Sequence, residues 1–278
     1  MITYSFVDPK TEALLNQAVT PKALANPMSS EQSVMRTSLL PGLIDAAKRN
    51  ISRQQDSGRL FEVGLVFKPT QTLEQDLTVG GVMWGRQKPE AWHSDSAGTD
   101  FFDVKGVVEE LAQWAGLNLT YAALDDPALH PGQSASVRLK GEQIGRVGRL
   151  HPQIENALDV EELFVFELDA EAITHRPRRG HGKVSRFPAV RRDIAVVVRQ
   201  DISAQTILDV LALGMDALCT NITLFDVYQG DGIDLEEKSL AIGLTLQSQE
   251  NTLGEEEINA AAQTAIGLLE QHCGARLR

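Results

Sequence analysis

The chain has 278 residues, a formal net charge of −12 and a hydrophobic fraction of 42%. This length allows one large or two medium domains with an ample core, and the composition is typical of a soluble globular protein. The acidic balance argues against a bulk binder of DNA or RNA, whose surface is usually basic. No apolar run approaches the roughly 20 residues of a membrane helix, and the N-terminus lacks a secretory leader, so we expect a cytoplasmic protein with no membrane partner.

Residues 1–175 show mainly strand patterns with helical patterns between them, which favours α+β over a doubly wound α/β fold. Asp8 and Pro9 are typical of a helix start. His130-Pro131-Gly132 predicts a turn. The chain opens on a strand already under way, so we expect a fragment of a longer protein or a start codon assigned inside a longer gene. The predicted strands are 2–7, 59–68, 77–86, 118–123, 135–139, 143–150 and 163–168, and the predicted helices are 8–17, 41–54, 100–116 and 151–158.

Residues 176–184 are predicted to be a linker, because they are basic, contain Pro177 and two glycines, and lack apolar periodicity. Beyond them, residues 185–278 give the order β-α-β-β-α-β, which is that of a ferredoxin-like domain. Some RNA-binding sheets share this topology, although no run here matches their aromatic signature. The predicted strands are 193–199, 222–228, 238–247 and 275–278, and the predicted helices are 203–213 and 255–272.

One predicted hairpin in this domain carries three side chains that suit an unpaired base. Asp226 and Tyr228 alternate on the first strand, so they share a face, and Ser239 lies on the returning strand. A carboxylate can accept from a base amino group, a hydroxyl can donate or accept, and an aromatic ring can stack. The same pattern is also typical of an ordinary solvated strand face. The residues alone therefore leave base recognition and a plain polar surface both open.

No convincing catalytic or metal-binding pattern accompanies this hairpin. The two cysteines and six histidines lack the paired spacing of metal ligands, and the glycines between Gly141 and Gly148 lack the spacing of a phosphate-binding loop. The sequence therefore predicts no catalytic residue, no metal ligand and no cofactor bound by this chain.

Two groups of motifs stand out along the chain. The first group is Asn26–Leu43 (NPMSSEQSVMRTSLLPGL) followed by Phe61–Phe67 (FEVGLVF). The second is Ser185–Ala195 (SRFPAVRRDIA) with Phe225–Tyr228 (FDVY) and Lys238–Leu240 (KSL). Together they resemble the C-terminal part of the β subunit of bacterial phenylalanyl-tRNA synthetase. The resemblance extends over essentially all 278 residues in the expected order. The combination is far more specific than either group alone.

The resemblance implies that residues 1–175 form a class II synthetase-like module, catalytic-like in its antiparallel fold but inactive. In a working class II site an arginine stands two residues before the glutamate of the second motif. Here Leu60 holds that place before Glu62, and Arg59 is one residue out of register. The implied role is support of the catalytic α subunit in an α₂β₂ enzyme that joins phenylalanine to its tRNA with ATP and Mg²⁺. The family's editing module and Mg²⁺-binding residues fall outside the similar part, so we expect neither function here.

The resemblance also implies that residues 185–278 bind the anticodon of phenylalanine tRNA. In the family, the positions that match Ala195, Asp226, Tyr228 and Ser239 contact the anticodon: the tyrosine stacks on the first base, the serine contacts that base, and the aspartate and alanine positions face the third. From the residues themselves, Arg191 and Arg192 are candidates for contacts with tRNA phosphates. Two other hypotheses stay open, namely an interaction or ligand-binding regulatory module with no RNA role, and a stand-alone ligase with an unrecognised active site.

Overall fold

The computed structural model describes residues 1–70, 73–93, 96–174 and 184–278. The chain divides into two compact units, one on each side of segment 175–183. The predicted linker 176–184 lies outside the described residues except for Val184. Within the described ranges, no helix combines the length and the apolar composition needed to cross a membrane.

The first unit is built on a six-stranded antiparallel sheet with the strand order β3-β4-β8-β7-β6-β5. One face packs against α2 through residues such as Leu43 and Val82, and the other packs against α3 through residues such as Val104 and Phe166. A short pair, β1 with β2, lies apart from this sheet. The elements are β1 (Phe6–Val7), α1 (Pro9–Leu15), β2 (Val34–Met35), α2 (Leu40–Ile51), β3 (Gly58–Lys68), β4 (Glu74–Trp84), α3 (Phe101–Ala115), β5 (Leu119–Ala122), β6 (Leu129–Leu139), β7 (Glu142–Leu150), α4 (Pro152–Leu158), β8 (Phe164–Asp169) and α5 (Ala170–Thr174).

The ends of these elements follow local chemistry. Asp8 caps α1 by accepting from the Lys10 amide, and Pro9 occupies the first turn, as predicted. The predicted turn at His130-Pro131-Gly132 is wrong, because these residues lie inside β6. The turn-like signal has a physical origin, since the Gly132 amide donates to His130 Nδ1 and the regular pairing of β6 with β7 is interrupted between Leu129 and Ser134.

The second unit has the predicted β-α-β-β-α-β order and the sheet order β10-β11-β9-β12, with all pairs antiparallel. Both helices pack on one face, where residues such as Leu211 and Leu269 meet Val196 and Ile242 in a single core. The ferredoxin-like prediction is therefore confirmed. The elements are β9 (Val190–Arg199), α6 (Ala204–Gly214), β10 (Cys219–Tyr228), β11 (Glu237–Leu246), α7 (Glu255–Cys273) and β12 (Arg276–Leu277).

Candidate nucleic-acid interface

The second unit leaves one face of its sheet uncovered by helices, and we call it the open face. Leu240, Ile242 and Leu244 of β11 are buried against α6 and α7. Because successive strand side chains point to opposite sides, Ser239 and Ala241 point to the open face. The residues of β9 and β10 that pair with Ser239 and Ala241 therefore point to the open face as well.

Strand pairing brings the four predicted contact residues together on the open face. Tyr228 of β10 lies directly opposite Ser239. Asp226 lies opposite Ala241, which in turn lies opposite Ala195 of β9. The tyrosine and serine thus form one row across the sheet, and the aspartate and alanine form the next row. Residues far apart in the chain become neighbours through the hairpin and its pairing with β9.

A β-bulge adds an aromatic residue that the alternation pattern does not predict. The pairing of β10 with β11 shifts between Leu224 and Asp226, so Phe225 is the extra residue. The Arg191 guanidinium lies 4.9 Å from the centroid of the Phe225 ring, on the open face. Strict alternation from Asp226 would have placed Phe225 on the opposite side, and no turn residue in the sequence signals the bulge.

Tyr228 is held by the turn that follows β10. Its hydroxyl donates to the Asp231 carbonyl at 3.3 Å. Gly230 packs so closely that a Cβ there would stand 2.8 Å from the tyrosine oxygen. The ring orientation is therefore fixed by its own strand and turn before any ligand arrives.

The end of the chain crosses the open face above Ser239. The Arg278 amide donates to the Ala195 carbonyl at 3.0 Å, beside β12. The Arg278 guanidinium reaches to 4.9 Å from the Tyr228 ring centroid on β10, so it spans the intervening strands. Ser239 lies on β11, between β12 and the Tyr228 ring, and it is only 3% exposed although no helix covers this face.

The two arginines predicted to contact phosphates are separated by strand alternation. Arg191 lies opposite Thr245 and belongs to the open face, where its Nε donates to Asp193 at 2.8 Å. Arg192 lies opposite Leu244, whose side chain is in the core, so it points to the helix-covered side. The structure therefore brings Arg191 to the candidate interface and does not bring Arg192 there.

The first unit contains buried charged groups that the sequence did not reveal. Arg36 donates to Glu62 at 2.9 Å, to the Leu65 carbonyl and to the Thr3 hydroxyl. The remaining Glu62 oxygen accepts from the amide and hydroxyl of Thr3. These hydrogen bonds hold β3 to the preceding segments. Arg59 instead donates to the Gln87 carbonyl.

A second buried group in this unit surrounds Arg146, which pairs with Asp126 at 2.7 Å and with Glu167 at 3.3 Å. Glu12 is fully buried; its Oε1 accepts from Thr37, and its Oε2 has no hydrogen-bond partner among the described residues. Burial raises the pKa of the Glu12 carboxyl above its ordinary value. In the described part of the chain, no group of three or more histidine, cysteine or acidic side chains could hold a metal ion.

The second unit belongs to a defined class of RNA-recognition domain. Residues 185–278 match the family model described as "Ferredoxin-fold anticodon binding domain". Residues 1–170 match the family model described as "Phenylalanyl tRNA synthetase beta chain CLM domain". The chain therefore belongs to the family of phenylalanine–tRNA ligase β subunits.

Curated relatives agree along the whole chain. The phenylalanine–tRNA ligase β subunit of Pseudomonas fluorescens strain Pf0-1 is 44% identical over 282 aligned positions, and that of Mannheimia succiniciproducens is 43% identical over 284. Each alignment covers 100% of this chain and 36% of the relative, so the chain spans about a third of their length. A pyrrolysyl tRNA synthetase structure from Desulfitobacterium hafniense, PylSc, has a TM-score of 0.45 and 14% identity over 62% of this chain and 58% of that one. Similarity at that level carries no argument about function.

Proposed function

We propose that the second unit binds the anticodon of phenylalanine tRNA on its open face. The observation that carries the proposal is the convergence of Tyr228, Ser239, Asp226 and Ala195 in two adjacent rows of that face. These residues come from three strands, so their convergence depends on the fold and not on nearness in sequence. Membership of the family supplies the ligand class.

Each side chain suits a distinct part of base recognition. The Tyr228 ring offers a stacking surface, and such stacking contributes about 1–3 kcal/mol per base. Asp226 accepts hydrogen bonds from a base amino or imino group, and Ser239 donates or accepts one. Ala195 and Ala241 have no bulky side chains, so this row leaves room for a base next to Asp226. A base that stacks on the ring face where the Arg278 guanidinium lies would displace that group.

For the first unit we propose an inactive, class II synthetase-like module that supports the catalytic α subunit within an α₂β₂ enzyme of the cytoplasm. The burial of the Arg36–Glu62 pair supports this assignment, because side chains that are 4% and 2% exposed offer little surface to a substrate phosphate. The described residues do not fit a metal site. On this proposal, ATP and Mg²⁺ act in the assembled enzyme.

The test is a titration of the chain with phenylalanine tRNA and with the same tRNA carrying a substituted anticodon. We expect weaker binding of the substituted tRNA, and loss of about 1–3 kcal/mol with the matched tRNA for Tyr228→Ala. Tyr4→Ala is the control, because it removes an exposed tyrosine from the first unit. Equal affinity for both tRNAs would reject the anticodon assignment and favour a regulatory module with no RNA role. ATP–pyrophosphate exchange by the chain alone would instead indicate a stand-alone ligase.

A further inference from the structure

The open face carries a second aromatic ring with a guanidinium group beside it. Phe225 is 49% exposed, and the Arg191 guanidinium lies 4.9 Å from its ring centroid. The same distance separates Arg278 from the Tyr228 ring, so the strand β10 presents two similar pairs on one face. The proposed function uses only the second of these pairs.

The Arg191 side chain reaches Phe225 by lying across strand β11. Arg191 starts on β9, and Phe225 is on β10, so the side chain must cross β11. It crosses at Gly243, where a Cβ would stand 2.8 Å from the guanidinium. Asp193 accepts from Nε of Arg191 and fixes the orientation of the group. A larger residue at position 243 would therefore displace the arginine from the ring.

We propose that the Phe225–Arg191 pair is a second stacking position, which takes an unpaired RNA base adjacent to the one on Tyr228. This inference rests on the proposed function and extends it to a further subsite of the same face. Aromatic rings and guanidinium planes both stack on splayed bases of single-stranded RNA. The two rings are three residues apart on one strand, and at about 3.3 Å per residue this separation is about 10 Å at most. Neighbouring bases that are splayed out of their own stack can span this distance.

The exposure of Phe225 also argues for a ligand. The bulge turns a large apolar side chain toward the open face, where it joins Asp226 and contributes nothing to the core beneath α6 and α7. Val227, on the same strand, has a similar exposure of 53% but pairs with Leu240 and so faces the other side. The strand therefore offers a matched pair of exposed apolar residues that differ in the face they occupy.

The experiment uses the full chain and an anticodon stem-loop of phenylalanine tRNA with 2-aminopurine placed at one loop position at a time. For Phe225→Leu we expect loss of fluorescence quenching at one loop position, and an affinity lower by about five- to 150-fold, as for one lost aromatic stack. Tyr228→Ala should abolish quenching at the neighbouring position instead. Val227→Ala, the control, should leave both signals unchanged. Arg191→Lys keeps the charge but loses the planar group, so we expect it to weaken quenching at the Phe225 position alone.

The outcomes separate this inference from the proposed function. Normal binding and quenching by Phe225→Leu, with a defect in Tyr228→Ala, would overturn the second stacking position and leave the anticodon assignment intact. Normal behaviour of both variants would contradict the anticodon assignment itself. Equal loss of quenching at every position in Phe225→Leu would also overturn the inference, because it would indicate a general distortion of the sheet.

Discussion

The buried Arg36–Glu62 pair should contribute strongly to the stability of the first unit. The side chains of Arg36 and Glu62 are only 4% and 2% exposed, and their nearest atoms are 2.9 Å apart. Arg36→Met removes the one hydrogen bond that the described residues donate to Glu62 Oε1, and it leaves a carboxylate in the interior. Removing one partner of a buried pair typically costs about 3–5 kcal/mol, because the other charge is left without compensation. We expect a loss of this size in the free energy of unfolding.

The exposed pair of Arg49 with Asp45 provides the matched control. Its nearest atoms are also 2.9 Å apart, but its side chains are 63% and 60% exposed. Exposed pairs contribute about 0–1 kcal/mol, so Arg49→Met should change stability by no more than that. The assay is urea unfolding followed by tryptophan fluorescence, which reports the first unit alone because all three tryptophans precede residue 115. A loss below about 1 kcal/mol for Arg36→Met would refute the reasoning, since burial would then not distinguish the two pairs.

Two further predictions concern Gly230 and Glu12. Gly230→Ala should push the Tyr228 ring away from its place, because the new Cβ would lie 2.8 Å from the tyrosine oxygen, and filter binding should show weaker affinity for phenylalanine tRNA with little change in thermal stability. Gly267→Ala, a position with open space around it, is the control, and equal affinity of the two variants would contradict the prediction. The pKa of Glu12 is raised by burial above its ordinary value of 4.5, so the folded state retains a proton that the unfolded state releases, and the free energy of unfolding should fall as pH rises from 4.5 through the folded pKa. Urea unfolding at several pH values should show that Glu12→Gln gains stability relative to the parent chain over this range, whereas a constant difference would contradict the assignment.

Local patterns in the sequence were sufficient for the ferredoxin-like unit and for the shared face of Asp226, Tyr228 and Ser239, whereas Ala195 was suggested only by the family resemblance. The alternation of apolar residues places Asp226 and Tyr228 on one side, and antiparallel pairing adds Ser239 and Ala195. Phe225 could not be assigned in this way, because the bulge exists only in the pairing of two strands and leaves no local signal. Pairing between residues distant in sequence thus decides which side chains complete the face.

The buried charges were missed for a different physical reason. No feature of the sequence indicates that Arg36, Glu62 and Glu12 are buried, since charged side chains are rarely buried unless they are paired. Their burial depends on partners that tertiary structure alone brings within reach, as when Arg36 meets Glu62 and Thr3. A pattern of apolar residues cannot reveal such partners, because the ion pair replaces the apolar contact that the pattern would require.

The acidic composition of the chain is compatible with recognition of RNA bases. On the open face, Arg191 is paired with Asp193, Arg276 is paired with Glu237, and Arg278 lies against the Tyr228 ring. These guanidinium groups are partly neutralised or engaged, so they attract the phosphate backbone less than free arginines would. Phosphate contacts carry no sequence information, whereas stacking and hydrogen bonds to base edges do. A face of this kind has less nonspecific affinity for nucleic acid but still distinguishes one base from another. On the proposed function this property is useful, because tRNAs share the same overall shape and charge and differ in their anticodon bases.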